Sequence, residues 1–287
     1  MSNNTSIATE ENNFVQVDKN CFTGVVKSNL PFTTSPEKVK EFFWAKDAIF
    51  CKDGRKVRAV CYQDYFIKSY KINGLFNFIR RIFKTSRPMK VLKAFLQLEK
   101  HNILTPRVLV AVTEKKSNLP IVDYLVTEKI PTHAKFANVL LAEYKNEPNF
   151  DFAISDKWIF TAFSFIAKMH EANVLHGDLN LRNFYYTGDI LKQDGAWGII
   201  DLDGANVYSK KLSNNLRTKD LASFIMGYWK IRNRGDNFDT QLIEEMVQEY
   251  EKITCTSINR QLFNKRMIYL HKRFQRFLEK YNKKNNK

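Results

Sequence analysis

The sequence His-Gly-Asp-Leu-Asn-Leu-Arg-Asn occupies residues 176–183, and Gly-Ile-Ile-Asp-Leu-Asp follows at residues 198–203. Asp178 and Asn183 lie five residues apart in the first stretch, and Asp201 follows an apolar run in the second. Phosphoryl transfer needs a carboxylate that accepts the proton of the attacking hydroxyl, and oxygen ligands that hold Mg²⁺. Asp178 suits the first role, and Asn183 and Asp201 suit the second. The two stretches therefore predict a phosphoryl-transfer site.

The flanking residues predict the elements that carry this site. Upstream, a set of mostly apolar residues recurs at helical spacing and predicts a buried helix: Trp158, Ile159, Ala162, Phe163, Ile166, Met169 and His170. Downstream, residues 184–186 and 197–200 predict a β-hairpin with a polar turn. The order of helix, loop, hairpin and Asp is typical of the catalytic half of kinases, whose loop reads His-Arg-Asp-Leu-x-x-x-Asn.

Two departures separate the chain from protein kinases. Gly177 replaces the Arg of that loop, and Asp-Leu-Asp at residues 201–203 replaces Asp-Phe-Gly. His-Gly-Asp resembles small-molecule kinases such as the aminoglycoside phosphotransferases, and His-Gly-Asp-Leu-Asn with Ile-Ile-Asp-Leu-Asp resembles the Kdo/WaaP-type lipopolysaccharide kinases more closely. The resemblance is tightest over residues 175–206 and extends from residue 48 to residue 221. It implies an α+β, two-lobed protein-kinase-like fold, with an antiparallel sheet and a helix in the N-lobe and a mostly helical C-lobe.

The same resemblance implies an activity and a set of site residues. The reaction is ATP-dependent phosphorylation of a Kdo or heptose hydroxyl in the lipopolysaccharide inner core, so the expected partners are the lipopolysaccharide core or a lipid A precursor. Asp178 and His176 are the predicted catalytic residues. Asn183 and Asp201 are the predicted ligands of Mg²⁺ and nucleotide. Asp203 is a further candidate metal ligand, because the Asp-x-Asp pattern allows the two carboxylates to exchange roles.

Residues upstream are predicted to bind the nucleotide. Lys68 ends the run Tyr-Phe-Ile-Lys, which is comparable with the kinase strand Val-Ala-Ile-Lys, and it is predicted to neutralise the α- and β-phosphates. Lys71 is a rival that lies beyond the apolar run. Backbone groups of Glu128 and Ile130, at the end of a predicted strand before Pro131, are predicted to bind adenine as a kinase hinge does.

Two features expected of a kinase nucleotide lobe are not established by the sequence: a glycine-rich loop and an acidic partner for Lys68. No Gly-x-Gly-x-x-Gly precedes Lys68, and Lys-Asp-Gly-Arg-Lys at residues 52–56 predicts only a basic turn between two strands. The partner of Lys68 also stays open, because Glu99 is the first acidic residue after Asp64 and falls near a helix end. Asp220, in turn, precedes an apolar segment and is either a brace of the catalytic loop or a helix N-cap.

Length and composition limit the classes of protein. The chain has 287 residues, of which 44% are hydrophobic, and this is enough for a folded core. We predict a flexible leader over residues 1–13, a nucleotide-binding N-lobe over 14–127 and a C-lobe over 128–287. No apolar run reaches the ~18–20 residues of a membrane span. The cysteines, Cys21, Cys51, Cys61 and Cys255, lack metal-ligand spacing and predict reduced thiols in a cytoplasmic protein.

Two segments carry the net charge of +16. Residues 65–98 contain eight Lys or Arg and no Asp or Glu, and residues 260–287 contain ten Lys or Arg and one Glu. In the first segment, a Phe-rich arc over residues 75–83 opposes Arg80, Arg81 and Lys84, which predicts a basic amphipathic helix. Such a helix either lies at an anionic membrane surface or packs on the N-lobe, and the sequence leaves both open.

The second basic segment has an apolar stripe that predicts a helix buried against the C-lobe, formed by Phe263, Met267, Leu270, Phe274, Phe277 and Tyr281. Nucleic acid is not expected as a partner, because the chain lacks zinc-finger, RNP-like and helix-turn-helix signatures. A phosphorylated, carboxylate-bearing glycolipid suits the charge instead. We therefore expect a peripheral protein on the cytoplasmic face of the inner membrane, with the anionic membrane surface as a partner.

Two other functions stay open at this point. A soluble small-molecule or protein kinase of the same fold would share Asp178, Asn183 and Asp201. The missing glycine loop and the open identity of the Lys68 partner favour a pseudokinase scaffold, whereas the intact Asp178, Asn183 and Asp201 speak against one.

Overall fold

The computed structural model describes residues 13–19, 21–30, 32, 35–72, 84–233 and 238–285. The chain divides into two compact units, the first formed by Met1–Leu96 and Pro106–Ile130, the second by Gln97–Thr105 and Pro131–Lys287. The predicted amphipathic helix over residues 75–83, with Arg80 and Arg81, lies outside the described residues, as does nearly all of the predicted leader.

The first unit is built on an antiparallel sheet of seven strands with the order β1-β2-β6-β7-β5-β4-β3. Its strands are β1 (Phe14–Lys19), β2 (Phe22–Lys27), β3 (Ile49–Asp53), β4 (Val57–Tyr62), β5 (Tyr65–Lys71), β6 (Val108–Lys116) and β7 (Leu119–Glu128). Helix α1 (Lys38–Phe43) buries Val39 and Phe43 in a core with Val60, Ile67 and Val110 of the sheet. Helix α2 (Arg87–Lys100) continues into the second unit.

The turn predicted at residues 52–56 is confirmed. β3 and β4 pair antiparallel, and the Gly54 N–H donates to the Val57 carbonyl over 3.1 Å. Asp53 and Arg58 form an ion pair across this hairpin at 2.6 Å. One glycine and charged side chains thus close the hairpin that a glycine-rich loop forms in protein kinases.

The second unit is mostly helical. Its helices are α3 (Ala137–Tyr144), α4 (Phe152–Glu171), α5 (Asn214–Asn233), α6 (Thr240–Thr254) and α7 (Arg260–Asn285). Its short strands are β8 (Lys135–Phe136), β9 (Val174–Leu175), β10 (Phe184–Tyr186), β11 (Trp197–Ile199) and β12 (Asn206–Val207), which form sheets of three and two strands. The predicted α+β fold, with an antiparallel N-lobe sheet and a helical C-lobe, is confirmed.

The elements predicted around the catalytic loop are also confirmed. Helix α4 buries the predicted face, and the Asp151 carboxylate caps its first turn by accepting from the Ala153 N–H at 2.8 Å. Strands β10 and β11 form the predicted antiparallel hairpin. The catalytic loop thus starts from a buried helix and ends in a buried hairpin.

The prediction that the whole apolar stripe of α7 is buried is wrong in its second half. Phe263 and Met267 are buried, whereas Phe277 and Tyr281 are 60% and 56% exposed and stack on each other. Between these two pairs, Leu270 and Phe274 are partly buried, and Lys230 of α5 contacts the Phe274 ring. Helical periodicity gives the direction of a face but not the length of the surface that covers it.

Cys51 and Cys61 lie on neighbouring strands with their sulfurs 3.2 Å apart, and all four cysteines are free thiols. Burial raises the pKa of the Cys61 thiol to about 11, so this thiol stays protonated at neutral pH. Along the part of the chain that the structure describes, no helix is both long enough and apolar enough to cross a membrane.

Candidate active site

The catalytic loop runs between β9 and β10 and ends in a 3₁₀ turn, Leu181–Asn183. Leu179 and Leu181 are fully buried and anchor the loop, whereas the Asp178 side chain is 58% exposed. The Asn180 side chain accepts from the Arg182 N–H and caps the turn. Alternate anchoring of this kind holds Asp178 on a fixed backbone with its carboxylate directed to solvent, as a base for a substrate hydroxyl requires.

Asn183 links this loop to the strand before Asp201. Its side chain is buried, and its amide nitrogen donates to the Asp178 carbonyl over 2.8 Å. The Asn183 carbonyl accepts from the Ile200 N–H, also over 2.8 Å. Because the amide nitrogen is committed to the loop, the amide oxygen is the atom that Asn183 offers to a metal ion.

His176 is fully buried, so its side chain does not reach a substrate. Its Nε2 lies 3.0 Å from the Ile200 carbonyl and donates to it. This bond joins the first residue of the loop to the residue before Asp201. The geometry therefore supports a positioning role for His176 and leaves the chemistry to Asp178.

Asp220 braces the loop from below, and this prediction is confirmed. Its carboxylate accepts from the His176 N–H at 2.8 Å and from the Gly177 N–H at 3.0 Å. Asp220 lies inside α5 and is almost fully buried, so it is not a helix N-cap. Hydrogen bonds from backbone N–H groups to a buried carboxylate are among the stronger ones in proteins.

A buried side-chain network under Asp220 was not foreseen from the sequence. His170 of α4 places Nε2 3.5 Å from the Asp220 carboxylate and Nδ1 2.7 Å from the Tyr250 hydroxyl of α6. Burial raises the pKa of the Tyr250 phenol to about 12, so it keeps its proton and shares a hydrogen bond with His170. Only the fold brings these residues, 80 positions apart in the chain, into contact.

Replacing Asp220 with Ala is expected to lower both stability and kcat. The variant leaves the buried His176 N–H and the partly buried Gly177 N–H without an acceptor, and a buried N–H that loses its acceptor costs about 1–3 kcal/mol of unfolding free energy. The released loop no longer holds Asp178. Chemical denaturation and steady-state kinetics measure the two effects. Ser223→Ala is the control, since the Ser223 hydroxyl bonds to Lys219 within the same helix. A folded Asp220→Ala protein with wild-type kcat would contradict the brace.

Asp201 has the left-handed backbone conformation, with φ 61° and ψ 53°. This region is uncommon for residues other than Gly, is tolerated best by Asn and Asp, and concentrates at functional sites. The side chain is exposed directly after β11, and Asp203 follows in the 3₁₀ turn Leu202–Gly204. The chain thus leaves the direction of the strand at Asp201, the residue predicted to be a metal ligand.

The backbone conformation of residue 177 explains why this chain has Gly where protein kinases have Arg. Its φ is +80°, and a Cβ at this position would lie 2.8 Å from the Gly204 carbonyl oxygen. A side chain would therefore be strained and would push the loop away from the turn that carries Asp203. The glycine permits direct packing of the catalytic loop on that turn.

The donor atoms of Asn183, Asp201 and Asp203 fit Mg²⁺. This ion takes oxygen ligands and is held in proteins by one or two carboxylates together with substrate phosphates. Over the described ranges, no group of three or more His, Cys, Asp or Glu side chains gathers into a metal site. Two carboxylates and one amide match the small protein ligand set that Mg²⁺ shares with a nucleotide.

The upstream residues predicted to bind the nucleotide, Lys68, Glu128 and Ile130, lie in the first unit. Lys68 is partly buried on β5, an interior strand, opposite Ala59 of β4 and Leu125 of β7. Lys71 is exposed at the end of that strand. This placement favours Lys68 over its rival, because an interior strand holds a side chain more rigidly than a strand end.

Glu128 and Ile130 stand at the end of β7 and of the first unit. The Glu128 N–H donates to the Arg107 carbonyl at 3.0 Å, and its carboxylate pairs with the Arg107 guanidinium at 2.9 Å. An adenine contact at Glu128 would therefore use the carbonyl oxygen. Glu99, the open candidate for the Lys68 partner, is exposed in the last turn of α2.

The comparisons with known proteins agree with the fold. The family model "Lipopolysaccharide kinase (Kdo/WaaP) family" matches residues 58–250. A solved structure of WaaP in complex with acyl carrier protein is similar with a TM-score of 0.57 and 16% identity, covering 87% of this chain and 96% of that one. The bifunctional kinase-methyltransferase WbdD is similar at a TM-score of 0.38 and 15% identity, covering 86% of this chain and 50% of that one. No curated protein sequence matches significantly.

The fold and the catalytic loop define a phosphotransferase of the kinase-like class. The chain belongs to the lipopolysaccharide kinase (Kdo/WaaP) family, whose model covers more than half of it. The predicted family, the enzyme class and the function as a kinase acting on a lipopolysaccharide core sugar are thereby confirmed.

Proposed function

We propose that the chain uses Mg-ATP to phosphorylate a Kdo or heptose hydroxyl of the lipopolysaccharide inner core. The observation that carries the proposal is the exposed Asp178 carboxylate on a loop fixed by Asp220 and Asn183. Asp178 accepts the proton of the sugar hydroxyl and directs its oxygen toward the phosphorus atom. His176 keeps the loop aligned with the residues around Asp201.

When bound, Mg-ATP supplies the γ-phosphoryl group and the metal charge that offsets the phosphates. Asn183 and Asp201 hold the metal through their oxygens, with Asp203 as the further candidate. Lys68 neutralises the α- and β-phosphates, and the Glu128 carbonyl and Ile130 N–H bind adenine. Residues 14–127 form the nucleotide-binding lobe in this proposal, and residues 128–287 form the catalytic lobe.

Incubation with γ-labelled ATP and a panel of acceptors tests this function. The panel contains Kdo-lipid A, deep-rough lipopolysaccharide, a soluble aminoglycoside and a generic protein substrate. We expect Mg²⁺-dependent label in the two lipid acceptors alone. Label only in the aminoglycoside or the protein would favour a soluble kinase, and ATP binding without transfer to any acceptor would favour a pseudokinase scaffold.

We also propose that the protein is peripheral on the cytoplasmic face of the inner membrane. The support is the sequence of residues 75–84, in which a Phe-rich arc opposes Arg80, Arg81 and Lys84. A basic residue near anionic headgroups contributes about 1 kcal/mol, and salt screens this contribution.

Changing Arg80, Arg81 and Lys84 together to Gln is therefore expected to weaken binding to anionic liposomes and to raise KM for a lipid-borne acceptor. ATP binding and phosphorylation of a soluble sugar acceptor should not change. Co-sedimentation at low and high salt measures the effect. Equal sedimentation of the variant and the wild type would show that these charges have no membrane role.

A further inference from the structure

An exposed cation stands beside the proposed catalytic base. Arg182 Nη2 lies 3.3 Å from Asp178 Oδ2, and the two side chains are 65% and 58% exposed. Exposed ion pairs of this type contribute little to stability. The position of Arg182 on the loop that presents the base thus calls for a reason other than folding.

Helix α5 brings a second cation to the same loop. Gly227 packs so closely that a Cβ there would lie 2.9 Å from the Leu181 nitrogen and 3.2 Å from Asn180 Oδ1. Lys230 follows three residues later, and residues three apart share one face of a helix. Lys230 therefore projects from the face of α5 that packs on the catalytic loop.

The C-terminal helix contributes the third cation. The Lys230 ammonium lies 5.1 Å from the ring centroid of Phe274, and Arg273 is the residue before Phe274 on α7. Burial lowers the pKa of Lys230, and the charges of Arg182 and Arg273 lower it further, while Asp178 has the opposite effect. Arg182, Arg273 and Asp178 therefore all lie within electrostatic range of Lys230.

Three other arginines of the same unit each have a carboxylate partner. Arg217 pairs with Glu171, Arg232 pairs with Asp156, and Arg260 pairs with both Glu244 and Glu251. Within the described part of the chain, no carboxylate lies at ion-pair distance from Lys230 or Arg273. Among the described residues, Asp178 is the one carboxylate beside these three cations, and like charges held close together repel, so a second anion would offset the remaining charge.

We propose that Arg182, Lys230 and Arg273 bind an acidic group of the acceptor sugar, a carboxylate or a phosphate, and thereby place its hydroxyl at Asp178. Guanidinium and ammonium groups are the usual partners of such anions, and their charge-assisted bonds are stronger than neutral ones. The cluster is thus the part of the site that selects an acidic acceptor. This inference rests on the proposed function, because it assigns Asp178 to the sugar hydroxyl.

The variants Lys230→Gln and Arg273→Gln test the proposal, with Lys272→Gln as a matched control. Lys272 is an exposed neighbour on α7 whose charge is not among those that act on Lys230. We expect each cluster variant to raise KM for Kdo-lipid A about tenfold, the loss of one charge-assisted hydrogen bond. The control variant and KM for ATP should stay at wild-type values. Thermal melting shows whether every variant is folded.

Two modified acceptors identify which acidic group is bound. If the cluster binds the carboxylate, the wild type should have a raised KM for the methyl ester of the acceptor. The cluster variants should not raise this KM any further. If a phosphate is recognised, the dephosphorylated acceptor should behave in this way instead. Either result supports binding of an acidic group by the cluster. If the variants raise KM for both modified acceptors as much as for Kdo-lipid A, the proposal is overturned.

A binding measurement separates this inference from the proposed function. Titration of a water-soluble, deacylated core oligosaccharide that carries Kdo is carried out without ATP. Weaker binding to the cluster variants supports the anion site even if no acceptor is phosphorylated. Normal acceptor binding, or a rise in KM for ATP instead of the acceptor, would overturn the inference and leave the kinase function intact.

Discussion

Replacing Asp178 with Asn is expected to lower the rate of phosphoryl transfer by about 10² to 10⁴-fold, the usual contribution of a general base. The amide has nearly the same shape as the carboxylate but does not accept the proton of the sugar hydroxyl. The loop should keep its conformation, because Leu179 and Leu181 anchor it and Asp220 binds its backbone. ATP binding should therefore remain close to that of the wild type.

Initial rates with labelled ATP and Kdo-lipid A measure this loss, and titration with Mg-ATP checks binding. Asp47→Asn is the matched control, since Asp47 is an exposed carboxylate in a turn of the first unit. The control should retain full activity. If Asp178→Asn transferred phosphate at a near-normal rate, Asp178 would not be the general base.

Replacing Asp201 with Ala is expected to weaken Mg-ATP binding by more than about 100-fold, because loss of an outer-shell group at a metal site already costs about 10–100-fold. The loss from Asp203→Ala should be smaller. Ala at position 201 also has to adopt the left-handed backbone of Asp201, at a cost of about 1–2 kcal/mol. Asp201→Asn separates the two effects, because Asn tolerates this conformation but lacks the charge.

Isothermal titration of the three variants with Mg-ATP gives the affinities, and chemical denaturation gives their stabilities. We expect Asp201→Asn to unfold like the wild type and still bind Mg-ATP poorly. A larger loss of affinity from Asp203→Ala would exchange the roles of the two carboxylates.

Local sequence patterns predicted the parts of the site that neighbouring residues determine. Helix α4, the hairpin after the loop and the turn at residues 52–56 depend on periodicity and turn residues within short windows. The family resemblance added the fold of the two units. The brace by Asp220 was one of two interpretations, and only the packing of α5 under the loop decides between them.

The remaining features depend on contacts between distant segments. His170 and Tyr250 meet under the loop, and Lys230 reaches it because Gly227 allows close packing. Residues 260–287 are a basic segment with a predicted apolar stripe, yet nothing local places Arg273 near Lys230 of α5. In the same way, the stripe of α7 predicted a buried face but not the exposure of Phe277 and Tyr281.

The position of the transferred phosphate tests the proposed function most directly. Kdo-lipid A and heptose-containing deep-rough lipopolysaccharide are incubated with the wild type and Mg-ATP, and the products are fragmented by mass spectrometry. We expect one added phosphate monoester on a Kdo or heptose hydroxyl, and none with Asp178→Asn. Phosphate found only on the lipid A glucosamines, or hydrolysis of ATP with no phosphorylated sugar, would show that the protein is not a kinase of these sugars.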